Sequence, residues 1–372
     1  MGTVVNTKKL PVRPTKVRGG ISRKNFLIFI LVTIIFFMGY NFISPDALDL
    51  GRYYETAERW QGEKIKDIIE FFFEQNVDFI YYVLLVLFGN TFVGAEFVTG
   101  AVVALYYFMI MWTFARYVRR ITLTNVIYLV GLFSFPNFIW VVSISRNAMA
   151  IMFIFAGVTF WLKDNKKITA IFFILAAFTH FSVLMYVALF FLSLLLYKLL
   201  SKKEKLVRTL CFILPPLMYL LSYYILDNFL NSPLLNAFLG ESHYTTYSDF
   251  AGENTDYSFY GYGDKSVMYV TLLSTYILLN IDKKVSTRKV LLLVFGSITI
   301  GMFTASAAFF NRFMICLPIF YSLYFSELYR ENVLTSPSHH NRNVANVMLF
   351  NSMLSIMSLI LLWYSYRIWT LV

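Results

Sequence analysis

Residues 141–205 read VVSISRNAMAIMFIFAGVTFWLKDNKKITAIFFILAAFTHFSVLMYVALFFLSLLLYKLLSKKEK. Three apolar blocks, 147–162, 168–180 and 182–200, follow one another, and Lys198 is the only Lys, Arg, Asp or Glu inside them. Lys163, Lys166 and Lys167 close the first block, and Lys202, Lys203 and Lys205 close the third. The joint between the second and third, Thr179-His180-Phe181-Ser182, holds no Lys or Arg. Lys and Arg gather beside span ends on the cytoplasmic face, so this alternation is that of a chain crossing a bilayer three times. A spanning helix needs about 20 residues. The 168–180 block is shorter, and must be tilted, broken or shielded by its neighbours.

The pattern continues in both directions, with apolar blocks at 26–43, 92–115, 121–141, 206–226, 266–281, 290–310, 313–328 and 346–366. The chain is 58% hydrophobic and 14% charged, with a mean hydropathy of +0.63. A soluble domain carries about 25% charged residues, so this chain lacks the polar groups to cover itself in water. The expected fold is an all-α, polytopic transmembrane helix bundle of about 11 spans, with 10 to 12 as the range. Residues 1–25 form a basic cytoplasmic tail and 26–372 a single transmembrane domain. The apolar run after the tail exceeds a signal-peptide core, and Ser44-Pro45-Asp46 lacks a small-residue cleavage pattern, so it reads as a retained helix.

Charge sets the orientation. With the N-terminus cytoplasmic, 24 of the 32 Lys and Arg fall inside, and 15 of the 21 Asp and Glu fall outside. The net charge of +11 is thus spread over short turns, which excludes the single basic groove of a nucleic-acid binder. Two larger external loops result, 44–78 and 227–265. The first ends in an amphipathic or re-entrant helix near 65–89, because Phe79–Phe88 is too short to span. The second carries tyrosines from Tyr244 to Tyr262, with Tyr257 and Tyr260 among them, and Tyr269 follows just inside the next span. Such rings suit the amphipathic faces of sugars.

Ionisable groups at or inside spans are costly, and so mark function. Arg146 opens a helix at the outer face, Arg312 lies in an outside turn, His180 ends a short span, and Arg52 sits beside Tyr53 and Tyr54 in the first loop. An isolated outer Arg can simply snorkel to headgroups. Several converging on one cavity would instead clamp a phosphate or pyrophosphate, which the planar guanidinium fork fits. His180 is a candidate general acid or base, with a bond to a helix carbonyl as the ordinary alternative. Asp46, Asp49 and Glu96 are candidate bases; a solvated acidic loop is the default for the first two. Cys211 and Cys316 fall in apolar segments, which suggests neither a disulfide nor a metal site. P-loop, dinucleotide-binding, HExxH and GxSxG patterns are missing, so neither a metal nor a cofactor is expected.

Four features in order resemble the EpsG-type members of the Wzy-like bacterial polysaccharide polymerases. They are the acid–Arg–Tyr loop (Asp46, Asp49, Arg52, Tyr53, Tyr54), Ser145-Arg146-Asn147-Ala148-Met149-Ala150, the Thr179-His180-Phe181-Ser182 turn, and Asn311-Arg312-Phe313. Asn147 stands where many such polymerases have Gln. The resemblance implies a glycosyltransferase of the bacterial cytoplasmic membrane. Its substrates would be undecaprenyl-pyrophosphate-linked oligosaccharides at the outer face, for capsule, O-antigen or exopolysaccharide. Membrane lipid, a chain-length regulator and a flippase are the partners it implies. The implied binding residues are Arg52, Tyr53, Tyr54, Arg146, Asn147, Asn311 and Arg312. Two other functions fit the same features: an O-antigen ligase-like transferase, and a lipid-linked oligosaccharide flippase.

Overall fold

The computed structural model describes residues 23–41, 49–75, 79–117 and 138–200, with isolated positions from 203 to 221 and at 295–296, 298–299, 315–316 and 323. The expected spans 266–281 and 346–366, most of 121–141, the loop 227–265, and Asp46, Asn311 and Arg312 lie outside the described residues.

Every element among the described residues is helical. In chain order these are α1 (Arg23–Tyr40), α2 (Asp49–Arg59), α3 (Ile65–Gln75), α4 (Phe79–Gly89), α5 (Glu96–Tyr117), α6 (Phe138–Ser143), α7 (Ser145–Trp161), α8 (Lys166–Thr179), a 3-10 turn (Phe181–Val183) and α9 (Leu184–Leu200). Among the described residues, two stretches, Glu96–Thr113 and Phe181–Leu199, are long and apolar enough to cross a membrane, and they point to a membrane protein. The outward side of the helices agrees. Phe29 is 68% exposed, Leu199 68% and Leu220 72%, while Thr99, Ser143, Ser145, Asn147 and His180 are buried. A soluble monomer rarely shows apolar surface so freely.

The segment expected as the first external loop is helical over most of its described residues. Leu50, Tyr53 and Ala57 are buried, a spacing of three and four that places them on one stripe of α2. Arg52, Glu55, Glu58 and Arg59 stand outside that stripe. The polar character of 49–59 hides this amphipathic helix from a search for apolar runs. The expected helix near 65–89 is two helices, α3 and α4, held together where Ile68 and Val86 are buried against each other.

Contacts of α4 define the architecture. Phe79 meets Phe178 near the end of α8 at 5.2 Å between ring centroids. Tyr81 bonds Ser145 at the start of α7, and Phe88 stacks on Phe97 at the start of α5 at 4.9 Å. One short helix thus touches the terminal turns of three others and lies across their ends. On it rest α2, through Tyr53 against Tyr81 and Tyr82, and α3, through Phe73 against Phe79. Together α2, α3 and α4 cap one end of the bundle.

Beneath the cap, α7 and α8 form an antiparallel hairpin. Its turn has Asp164 at φ 61, and Asn165 donates its backbone N–H to the Phe160 carbonyl at 3.0 Å. The Asn165 side chain accepts from Ile168 N–H at 3.2 Å, capping α8. Close approach depends on Gly157, where a Cβ would come within 2.5 Å of the Phe173 ring. A similar crossing joins α1 to α5: a Cβ on Gly100 would stand 2.9 Å from the Phe36 carbonyl oxygen. Small residues of this kind let helices pack closely where lipid offers no hydrophobic drive.

Candidate functional site

The α6–α7 junction creates the site. The helix breaks at Ile144, whose φ of −113° and ψ of 44° are not helical, and α7 restarts with Ser145-Arg146-Asn147. Ser145 and Asn147 turn into the bundle, and Arg146 is half-buried. A cation in the first turn of a helix lies at the positive end of the macrodipole, which disfavours it. Two aromatic rings and a hydroxyl offset that cost. The Arg146 guanidinium carbon stands 5.3 Å from the Tyr53 ring centroid and 5.5 Å from that of Tyr82. Its Nη1 donates to the Tyr82 hydroxyl at 3.2 Å. Tyr53 comes from α2 and Tyr82 from α4, so the cap grips the arginine from two sides.

A run of hydroxyls continues from this point. Ser145 and Tyr81 share a buried hydrogen bond. Tyr81 also meets the Thr99 hydroxyl, which accepts from Tyr54 at 3.0 Å. Four helices, α7, α4, α5 and α2, are thereby linked through side chains alone. Burial, above all, pushes the Tyr54 phenol well above its ordinary ionisation range; the Thr99 hydroxyl opposes the rise, and Tyr81 and Glu96 add to it. Tyr54 is therefore a hydrogen-bond donor at any working pH. Glu96 occupies the first turn of α5, where a carboxylate suits the helix dipole, and its side chain lies over Gly94.

His180 ends α8 in extended backbone and starts the 3-10 turn, donating its N–H to the Ala176 carbonyl at 2.9 Å. It is buried, only 3% exposed. Because α7 and α8 run antiparallel, the start of one and the end of the other share an end of the hairpin, and α4 touches both. His180 thus belongs to the Arg146 end of the bundle.

Among the residues expected from the sequence, Tyr53 and Arg146 are brought into contact. Tyr54 joins through the hydroxyl run, Glu96 lies near Tyr54, and Asn147 is buried one position beyond Arg146. Arg52 stands exposed on α2, away from its buried stripe, and Asp49 begins that helix. Asp46, Asn311 and Arg312 fall outside the described residues. Tyr81, Tyr82 and Thr99 were not singled out by the sequence, and Ser145 entered only as the first residue of the Arg146 motif. The one signal there was the Tyr81-Tyr82 pair, the only residues with polar side chains in the otherwise apolar 79–88 stretch. No group of His, Cys, Asp and Glu suited to a metal ion occurs among the described residues.

The EpsG family profile matches residues 24–370. The chain belongs to the EpsG family. This is a family associated with polysaccharide polymerisation, and membership of it points to a polysaccharide-biosynthesis enzyme. No curated protein and no solved structure matches it. The family match runs through α1 to α9, and so includes the cap, the α6–α7 break and the His180 turn that form the candidate site.

Proposed function

We propose that this EpsG-family chain is a polysaccharide polymerase of the bacterial cytoplasmic membrane, with about 11 spans and a cytoplasmic N-terminus. It joins undecaprenyl-pyrophosphate-linked oligosaccharide repeats at the outer face. The observation that carries this is Arg146, held between Tyr53 and Tyr82 under a cap at the end of the helices. The charge distribution assigns that end to the outer side.

In the reaction, a hydroxyl oxygen of one lipid-linked repeat attacks the anomeric carbon of a second, longer chain. The bond from that carbon to the pyrophosphate oxygen breaks, and the lipid pyrophosphate leaves with the electron pair. Arg146 stabilises the charge that develops there, the kind of preorganised electrostatic effect that dominates many enzymes. Arg312 is a further phosphate contact in this scheme, and Arg52, exposed on α2, draws the anion toward the rim without touching it. His180 or Glu96 takes the acceptor proton, with Asp46 and Asp49 as the alternatives in the first loop. Tyr54, whose own proton goes to Thr99, accepts from a sugar hydroxyl, while Asn147 holds sugar or phosphate oxygens by hydrogen bonds, and Asn311 does the same beside Arg312.

The test is a ladder assay. Purified full-length protein in liposomes, given undecaprenyl-pyrophosphate-linked repeats, should yield products of increasing length. Arg146→Ala should remove the ladder without lowering the amount of inserted protein. A flippase would move the lipid-linked repeat between leaflets with no new glycosidic bond. A ligase-like transferase would pass one chain to a different acceptor and form no ladder.

A further inference from the structure

Sequence position alone makes Arg146 a cation at a helix start, but the structure surrounds it with groups from two cap helices. Tyr82 offers both its hydroxyl, 3.2 Å from Nη1, and its ring, 5.5 Å from the guanidinium carbon. Tyr53 offers its ring at 5.3 Å. The two rings are themselves edge-to-face, with centroids 5.9 Å apart and planes at 83°, so each fixes the other. Tyr81, which packs on both, is locked by its bond to Ser145, the residue directly before Arg146. An arginine side chain has several rotatable bonds and loses much rotamer freedom when ordered. Here that ordering is done in advance by rings that are rigid.

We propose that Tyr82 and Tyr53 are positioning residues that aim the Arg146 guanidinium, Tyr82 by accepting a hydrogen bond and both by presenting ring faces to the cation. This deepens the polymerase reading and rests on Arg146 meeting the pyrophosphate. Tyr82 fixes the rotation of the guanidinium plane through one N–H, and the rings fix its distance from the helix end. Preorganisation of this sort strengthens binding by removing the ordering cost from the encounter with ligand. The cap helices thus act on the reaction through a residue that belongs to neither of them.

The experiment measures the KM for the lipid-linked donor and kcat on purified full-length variants, with melting temperature as a check on folding. Tyr82→Phe keeps the ring and removes the hydroxyl, and should raise the KM roughly fivefold, the worth of one hydrogen bond. Tyr53→Leu should raise it roughly tenfold through loss of the ring face. Tyr53→Phe, which keeps the ring, should restore the wild-type value. In an Arg146→Met background, Tyr82→Phe should add nothing further to the KM of the residual activity, because methionine has no N–H to donate to the hydroxyl. Full activity in Arg146→Ala would overturn the polymerase site and this inference together. Loss of activity in Arg146→Ala with unchanged KM in Tyr82→Phe and Tyr53→Leu would overturn the positioning role alone. An undiminished Tyr82→Phe effect in the Arg146→Met background would do so too, as would failure of Tyr53→Phe to restore the KM.

Discussion

The two ends of the α7–α8 hairpin are built from the same kinds of residue and held in opposite ways. At the Asp164 end, bonds are local: Asn165 caps its own helix, Thr169 donates to the Gly157 and Asn165 carbonyls at 3.1 and 2.9 Å, and Phe160 stacks on Phe172. Those hydrogen bonds stay within the hairpin, and Trp161 adds a ring contact to Phe190 of α9 at 5.8 Å between centroids. At the Arg146 end, the partners are distant in sequence, Tyr81 and Tyr82 each 64 positions from the residue they bond. An end closed by its own chain serves packing. An end whose polar groups can be met only by other helices is where geometry can be set for a ligand.

The largest expected effect breaks the second end without touching the first. Arg146→Ala should cut polymerisation roughly a hundredfold or more, on the scale of losing a preorganised charge contact, while the melting temperature of the purified protein stays near wild type. A melting temperature that fell in step with activity would place Arg146 among packing residues instead. Next, Gly157→Leu attacks the closed end. Its side chain must enter space held by the Phe173 ring, so stability should fall by about 1–3 kcal/mol, read as a lower melting temperature, with KM unchanged in the molecules that remain folded.

Smaller effects refine the contrast. Ser145→Ala removes the bond to buried Tyr81 and should cost about 1 kcal/mol of stability. It should also raise the donor KM, because Tyr81 packs on both rings beside Arg146. Smallest of all, Arg52→Ala should change the donor KM by less than about threefold, since an exposed charge in water contributes little. A loss comparable to that of Arg146→Ala would put Arg52 in contact with the pyrophosphate and enlarge the site across α2.

Much of the helical plan was legible in the sequence. The blocks 147–162, 168–180 and 182–200 correspond closely to α7, α8 and α9, because long apolar runs between basic turns have few other solutions. Arg146 and His180 also stood out, since charge and imidazole are rare beside such runs. Illegible by the same logic were α2, whose buried stripe is interrupted by charges, and the division of 65–89 into α3 and α4. The roles of Tyr82 and Ser145 were hidden for a different reason. A tyrosine in an apolar stretch and a serine near a helix start are ordinary residues until their neighbours are known.

Composition and charge order by themselves determined that this chain is helical and apolar enough to suit a membrane, and they set the expectation of two unlike faces. They act through solvation, which each residue feels almost independently of its distant neighbours. Only the tertiary structure decided that α4 lies across the ends of α5, α7 and α8, and that Tyr53 and Tyr82 meet around Arg146. Those contacts depend on helix crossings at Gly100 and Gly157 and on hydrogen bonds between segments far apart in the chain. Side-chain convergence of that kind is a property of packing, and no single segment carries it.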